Sequence, residues 1–135
     1  MADNKNNITV ETENTMKIAI TAQGDKNTDP IDLRFGRAKY LIVVDTETSE
    51  HAVHDNTVNL NAAQGAGIQT GRNVAELDVE AVITGNVGPN AFKTLNAAGI
   101  KIFLAQQQTV QEALEAFKAG TLNEVNNANV QGHWA

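Results

Sequence analysis

Apolar positions along the chain form two patterns: short unbroken runs of strand length, and stripes recurring every three or four residues. The runs are Lys17-Ile18-Ala19-Ile20-Thr21, Tyr40-Leu41-Ile42-Val43-Val44-Asp45, Val79 with Ala81-Val82-Ile83, and Ile100-Lys101-Ile102-Phe103-Leu104. Unbroken runs bury both faces of a strand, so they predict a sheet covered on each side. A weaker strand is expected from Glu50 to Asp55, joined to the second run by a turn over Thr46 to Ser49 and therefore antiparallel to it. The stripes predict three helices. One runs from about Gly65 to Leu77, with Ile68, Gly71, Val74 and Ala75 toward the sheet. The next carries Ala91, Phe92, Leu95 and Ala98 between Pro89 at its start and Gly99 at its end. In the last, Thr109 and Glu112 form a capping box, Val110, Ala113, Leu114 and Phe117 make the stripe, and Gly120 stops it. The order βββαβαβα, with a right-handed crossover between the last two strands, gives an α/β fold with a mixed five-stranded sheet and three helices.

The polar stretches divide the chain. Residues 1–15 are Asn-rich, with only Ile8 and Val10 to bury, and are expected to be a flexible polar extension, although Ile8-Thr9-Val10-Glu11 alternates like an edge strand. Residues 16–122 form the α/β domain and residues 123–135 a C-terminal tail. Inside the domain, Gln23 to Leu33 is a long polar loop, a class that is often functional when a compact domain retains it. The densest local signal is Thr84-Gly85-Asn86-Val87-Gly88-Pro89-Asn90-Ala91-Phe92, which joins a buried strand to a helix. Gly85 and Gly88 permit close backbone approach, and the helix-start amides with the Asn86 and Asn90 side chains offer donors to an anion.

This run, together with Phe35-Gly36-Arg37, Gly65-Ala66-Gly67 and the terminal Gly132-His133, resembles the nitrogenase iron-molybdenum cofactor biosynthesis family. The family includes NifX, NafY, the C-terminal domain of NifB and the orange protein of sulfate-reducing bacteria. The resemblance extends from about Met16 to His133, with the motifs in matching order, and the nine-residue run is its strongest part. It implies a ribonuclease H-like domain with strand order 3-2-1-4-5 that binds or ferries a metal–sulfur cluster without catalytic turnover. In that order the loops after Thr21 and Thr84 and the start of the Gly65 helix converge on one edge of the sheet, where a cleft is expected.

Composition narrows the ligand. Zero cysteines exclude a disulfide framework, a thiolate iron–sulfur site and a Cys-based zinc site. Sixteen acids against ten bases, a net charge of −6, oppose nonspecific nucleic-acid binding, and a single Trp and a single Tyr leave few stacking platforms. No apolar stretch reaches membrane-spanning length and no signal-peptide layout opens the chain, so a cytoplasmic protein without a membrane or nucleic-acid partner is expected.

Against this acidic background Arg34, Arg37 and Lys39 place three cations within six residues. Arg37, flanked by Gly36 in a loop, is the strongest candidate for an anion contact; Lys39 and Arg72 read more simply as solvated charges, and Arg34 fits either role. Gly65, Gly67 and Gly71 serve equally as packing or ligand positions, and their spacing misses the dinucleotide fingerprint. His51 and His54, an odd number of residues apart on a strand, point to opposite faces and form no metal pair. His133 is a candidate metal ligand through the family's terminal Gly-His pair. The central strands lack the clustered carboxylates of a metal-dependent nuclease, and Ser49, the only serine, sits in a turn, so no enzyme is expected.

The expected function is therefore non-catalytic binding of an anionic metal–sulfur cluster, either a molybdenum–copper sulfide or an iron–molybdenum cofactor precursor, held non-covalently. The expected binding residues are Arg34, Phe35, Gly36, Arg37, Gly65, Gly67, Thr84, Gly85, Asn86, Gly88 and Asn90, with a cluster donor or acceptor protein as partner. The alternative is a regulatory interaction module that binds a partner or a small organic anion at the same glycine-rich edge.

Overall fold

The computed structural model describes residues 16–57 and 66–126. β1 (Lys17–Ala22) occupies the middle of the sheet, and every residue after Lys17 is buried. It pairs antiparallel with β2 (Tyr40–Asp45) on one side, Ile20 opposite Ile42, and parallel with β4 (Ala81–Thr84) on the other, Ile20 opposite Ile83. β3 (His51–Asp55) closes one edge antiparallel to β2, and β5 (Lys101–Leu104) continues the sheet parallel to β4.

The strand order is β3-β2-β1-β4-β5-β6, so the sheet has six strands, not the five expected. β6 is Asn123–Glu124, within the segment expected to be tail, and runs antiparallel to β5 with Leu104 opposite Asn123. Both its residues are exposed and polar, so it carries no apolar alternation to read. It forms because β5 presents an unpaired edge, and the Val125 N–H extends the pairing to the Ile102 carbonyl at 3.0 Å.

Alternate residues of the central strands feed two cores, as the two-residue period of a strand requires. Ile18, Ile20, Ile42, Val44 and Ile83 meet Val110, Ala113 and Leu114 of α3 (Val110–Ala119). Ala19, Leu41, Val43 and Val82 meet Val74 of α1 (Ala66–Ala75) and Ala91 and Leu95 of α2 (Pro89–Ala97). The helix signals act as their chemistry dictates. Thr109 Oγ1 accepts the Glu112 N–H at 3.1 Å while the Glu112 carboxylate accepts the Thr109 N–H at 2.9 Å, and Gly120 takes the left-handed conformation at φ 75°. Gly99 does the same just beyond α2.

The face of α1 differs from its expected one. Gly71 abuts α2 instead of the sheet: a Cβ there would stand 2.9 Å from Thr94 Cγ2. Ala75 is exposed, and the buried polar position is Thr70. Small size at Gly71 thus sets the approach of the two helices. Among the described residues no helix is long and apolar enough to cross a membrane.

Candidate functional site

The long loop after β1 is pinned along its length. It doubles back on the end of β1 through the Gln23 N–H to the Pro30 carbonyl (3.0 Å) and the Asp32 N–H to the Thr21 carbonyl (2.8 Å). The Ile31 N–H reaches the Gln108 carbonyl at 2.8 Å, tying it also to the segment before α3. Ile31 is fully buried, and that anchors the return. Next, the chain runs beside the loop that follows β4: Arg34 bridges Asn86, the Phe35 N–H donates to the Asn86 carbonyl at 3.2 Å, and the Asn86 side-chain amide donates to the Leu33 carbonyl at 3.1 Å. Beneath, the Thr21 hydroxyl pairs with that of Thr84 at 2.9 Å and donates to the Asp32 carbonyl at 2.7 Å.

These contacts leave a cleft of about 410 Å³ lined by Gln23, Asp32, Leu33, Arg34, Lys39, Asn86 and Gln107. It opens where the loops after β1 and β4 meet, as the strand order leads one to expect, but none of its lining residues comes from α1, whose start was expected to join them. Its charged side chains are the cations of Arg34 and Lys39 and the carboxylate of Asp32, and the rest of its polar lining consists of neutral amides. Asp32 is only 7% exposed. Burial pushes its carboxyl above the usual value, opposed by the Arg34 N–H bound to Oδ1 at 3.0 Å, by the charges of Arg34 and Lys39, and by the Lys39 N–H.

The expected binding residues separate into three groups. Arg34 and Asn86 line the cleft. Phe35, Thr84 and Gly85 support it from within. Phe35 is fully buried in the core beneath α1 and α2, Thr84 is fully buried against Thr21, and Gly85 is needed because a Cβ would stand 2.8 Å from Leu33 Cα. The others lie outside the lining. The Gly36 carbonyl accepts the Thr70 hydroxyl at 3.2 Å, half-buried Arg37 ends the short 3-10 turn Phe35–Arg37, Gly67 lies in α1, and Gly88 and exposed Asn90 flank the start of α2. Gly65 and His133 fall outside the described residues. Arg72, also considered, is exposed in the last turn of α1 and does not line the cleft.

Asp32, Gln23 and Gln107 were not anticipated, and Lys39 is exposed, as a solvated charge should be, while also lining the cleft. A signal for Asp32 exists in the row Ile31-Asp32-Leu33, an acid between two apolar residues that the fold buries or half-buries. Gln23 and Gln107 carry no such signal, because only tertiary folding brings them together. Among the described residues no three His, Cys, Asp or Glu side chains gather to hold a metal ion. The cleft instead offers guanidinium, ammonium and amide N–H groups, which meet the outer atoms of an anion.

Residues 16–120 match the family model described as dinitrogenase iron-molybdenum cofactor. The chain belongs to this family. Within the dinitrogenase iron-molybdenum cofactor family and its neighbours, the chain is similar to the apo form of the orange protein from Desulfovibrio gigas, with 35% identity and a TM-score of 0.83, over 85% of this chain and 97% of that one. It is also similar to a NifB-named protein from Thermotoga, solved by NMR, with 38% identity and a TM-score of 0.76 over 87% and 99% of the two chains. An uncharacterized protein of Methanocaldococcus jannaschii is 27% identical over 112 residues, 81% of this chain and 91% of that relative. The family match runs from the first residue of the described core to Gly120, so it includes every residue lining the cleft.

Proposed function

We propose that this protein binds and carries an anionic metal–sulfur cluster, without catalytic turnover, in the cleft between the loops that follow β1 and β4. The observation that carries the proposal is the pairing of Arg34 and Lys39 at one cleft of a chain whose net charge is −6. That local reversal of sign, surrounded by the amides of Gln23, Asn86 and Gln107, suits a polyanion gripped through its outer sulfide or oxide atoms. The cluster is cargo, and the lack of cysteine calls for such a hold. Likeness to the orange protein favours a molybdenum–copper sulfide as the cargo, with an iron–molybdenum cofactor precursor as the other member of the same chemical class.

In this reading Arg34, Lys39 and Asn86 touch the cargo, while Gly88, Asn90 and Arg37 border its path, and His133 supplies a conditional ligand from the C-terminal segment. The ribonuclease H-like strand order serves to bring the two loops side by side. A cytoplasmic donor or acceptor protein for the cluster completes the proposal. The test is anaerobic incubation of the protein with tetrathiomolybdate and copper, followed by desalting and metal analysis. Molybdenum and copper eluting with the protein in a fixed ratio, with new charge-transfer absorption, supports the proposal. If colourless, metal-free protein emerges both here and after exposure to an iron–molybdenum cofactor precursor, the proposal fails and a partner-binding module takes its place.

A further inference from the structure

The cleft contains a group that an anion site should avoid. Asp32 brings a carboxylate into the same 410 Å³ space as Arg34 and Lys39, and at 7% exposure it is not a solvated surface acid. Hydrogen bonds hold it there. Oδ1 accepts the Arg34 N–H at 3.0 Å, and the Asp32 backbone is clamped to Thr21 through the N–H at 2.8 Å and the carbonyl at 2.7 Å. The carboxyl is thereby held beside the cleft that an anion would enter. The charged groups facing it are Arg34 and Lys39, on the segment leading into β2. The groups reaching the cleft from the β1, β4 and β5 ends, Gln23, Asn86 and Gln107, do not titrate. Among the described residues, an anion entering the cleft thus meets two cations and one carboxyl.

Resting on the anion-carrier reading, we propose that Asp32 is the specificity-determining residue of this cleft, which holds its anion with one proton shared between the Asp32 carboxyl and the ligand. A fully deprotonated anion, such as a thiometallate or sulfate, is held when Asp32 itself carries the proton, whose O–H then donates to the ligand. An anion that brings its own proton, such as hydrogen phosphate, donates to the ionised carboxylate instead. Two bare negative charges within one cleft repel in a site of reduced dielectric. Burial already raises the carboxyl's affinity for a proton, and a bound dianion raises it further. Release follows from the same relationship: loss of that proton at Asp32 weakens the hold on a thiometallate without any movement of the fold.

The test is titration calorimetry of the full chain with tetrathiomolybdate, sulfate and inorganic phosphate. The proton-free anions are each titrated in two buffers of different ionisation enthalpy, and sulfate and phosphate from about pH 5 to about pH 8. The expected result is uptake of close to one proton for each tetrathiomolybdate or sulfate bound at the upper end of this range. Sulfate affinity should fall by up to about tenfold per pH unit as pH rises, whereas phosphate affinity holds as hydrogen phosphate becomes its dominant form. Asp32→Asn should flatten the sulfate profile and erase the preference for phosphate at high pH. Binding of tetrathiomolybdate or sulfate to the wild-type chain without proton uptake overturns the role of Asp32 while leaving the anion site standing, and does so without any variant. Binding of none of the three anions at any pH overturns the anion reading together with this proposal.

Discussion

Gly85 and Leu33 are in direct backbone apposition: a Cβ on Gly85 would lie 2.8 Å from Leu33 Cα, closer than real carbon atoms approach. The glycine therefore lets the loop before β2 lie flat on the end of β4, and this contact sets the floor of the cleft. Replacing Gly85 by Ala should force the two loops apart, disturbing the hydrogen bonds that Asn86 makes with Leu33 and Phe35. A loss of about 1 to 3 kcal/mol is expected, as for other overpacked sites, read by chemical denaturation. Anion retention should fall by more than this stability loss explains.

Arg34 and Arg37 lie in the same turn but have different surroundings, and only Arg34 lines the cleft. Arg34→Gln should weaken tetrathiomolybdate binding by about tenfold or more, because a hydrogen bond to a charged group contributes about 1.5 to 3 kcal/mol. Arg37→Gln should leave it within about twofold of wild type. Parallel titrations of the two variants decide the assignment, and a larger effect at Arg37 would return the site to the residue that sequence alone favours.

Asp32 also determines how stability depends on pH. Its pKa is raised in the folded protein above the ordinary value of 3.8, so the folded state holds the proton more tightly than the unfolded chain. Its contribution is fully present below that ordinary value and is lost as pH rises through the raised one. Asp32→Asn cannot titrate. Its stability relative to wild type should therefore increase between about pH 4 and about pH 7, measured by urea unfolding at both pH values. A difference that stays constant, or moves the other way, would show that burial does not dominate at this carboxyl.

The capping box gives a check on the scaffold away from the cleft. Thr109→Ala removes the acceptor for the Glu112 N–H and should cost about 0.5 to 2 kcal/mol. Because the Pro30 to Thr109 bridge and the Ile31 N–H bond to Gln108 tie this end of α3 to the loop after β1, hydrogen exchange should quicken at Ile31 as well as in the first turn of α3. Exchange confined to α3 would mean that the loop is held by β1 alone.

What the sequence made legible follows from how local each signal is. The four central strands, the three helices, the box at Thr109 and the left-handed stops at Gly99 and Gly120 are encoded within a few residues, and the structure contains them. β6 was not legible, since Asn123 and Glu124 are polar and exposed and pair only because β5 offers an edge. The meeting of the loops after β1 and β4 followed from strands one and four lying side by side, whereas the lining of the cleft between them did not. Phe35 and Gly36 were expected among the binding residues through their motif, yet both are buried and Phe35 fills the core under α1 and α2. Asp32, Arg34 and Lys39 are near neighbours in sequence, but they meet Gln23, Asn86 and Gln107 only after an eleven-residue return from Thr21 to Asp32 that the Thr21 hydroxyl clamps, a relationship that no spacing rule captures.

The most direct measurement compares wild-type protein with the Arg34→Ala, Lys39→Ala double variant. Both are loaded anaerobically with tetrathiomolybdate and copper under identical conditions, desalted, and analysed for metal per folded chain. The cleft account predicts stable retention by the wild type and little or none by the double variant, with unchanged folded structure by circular dichroism. Equal metal retention by a folded double variant would contradict it and move the cargo to another part of the molecule.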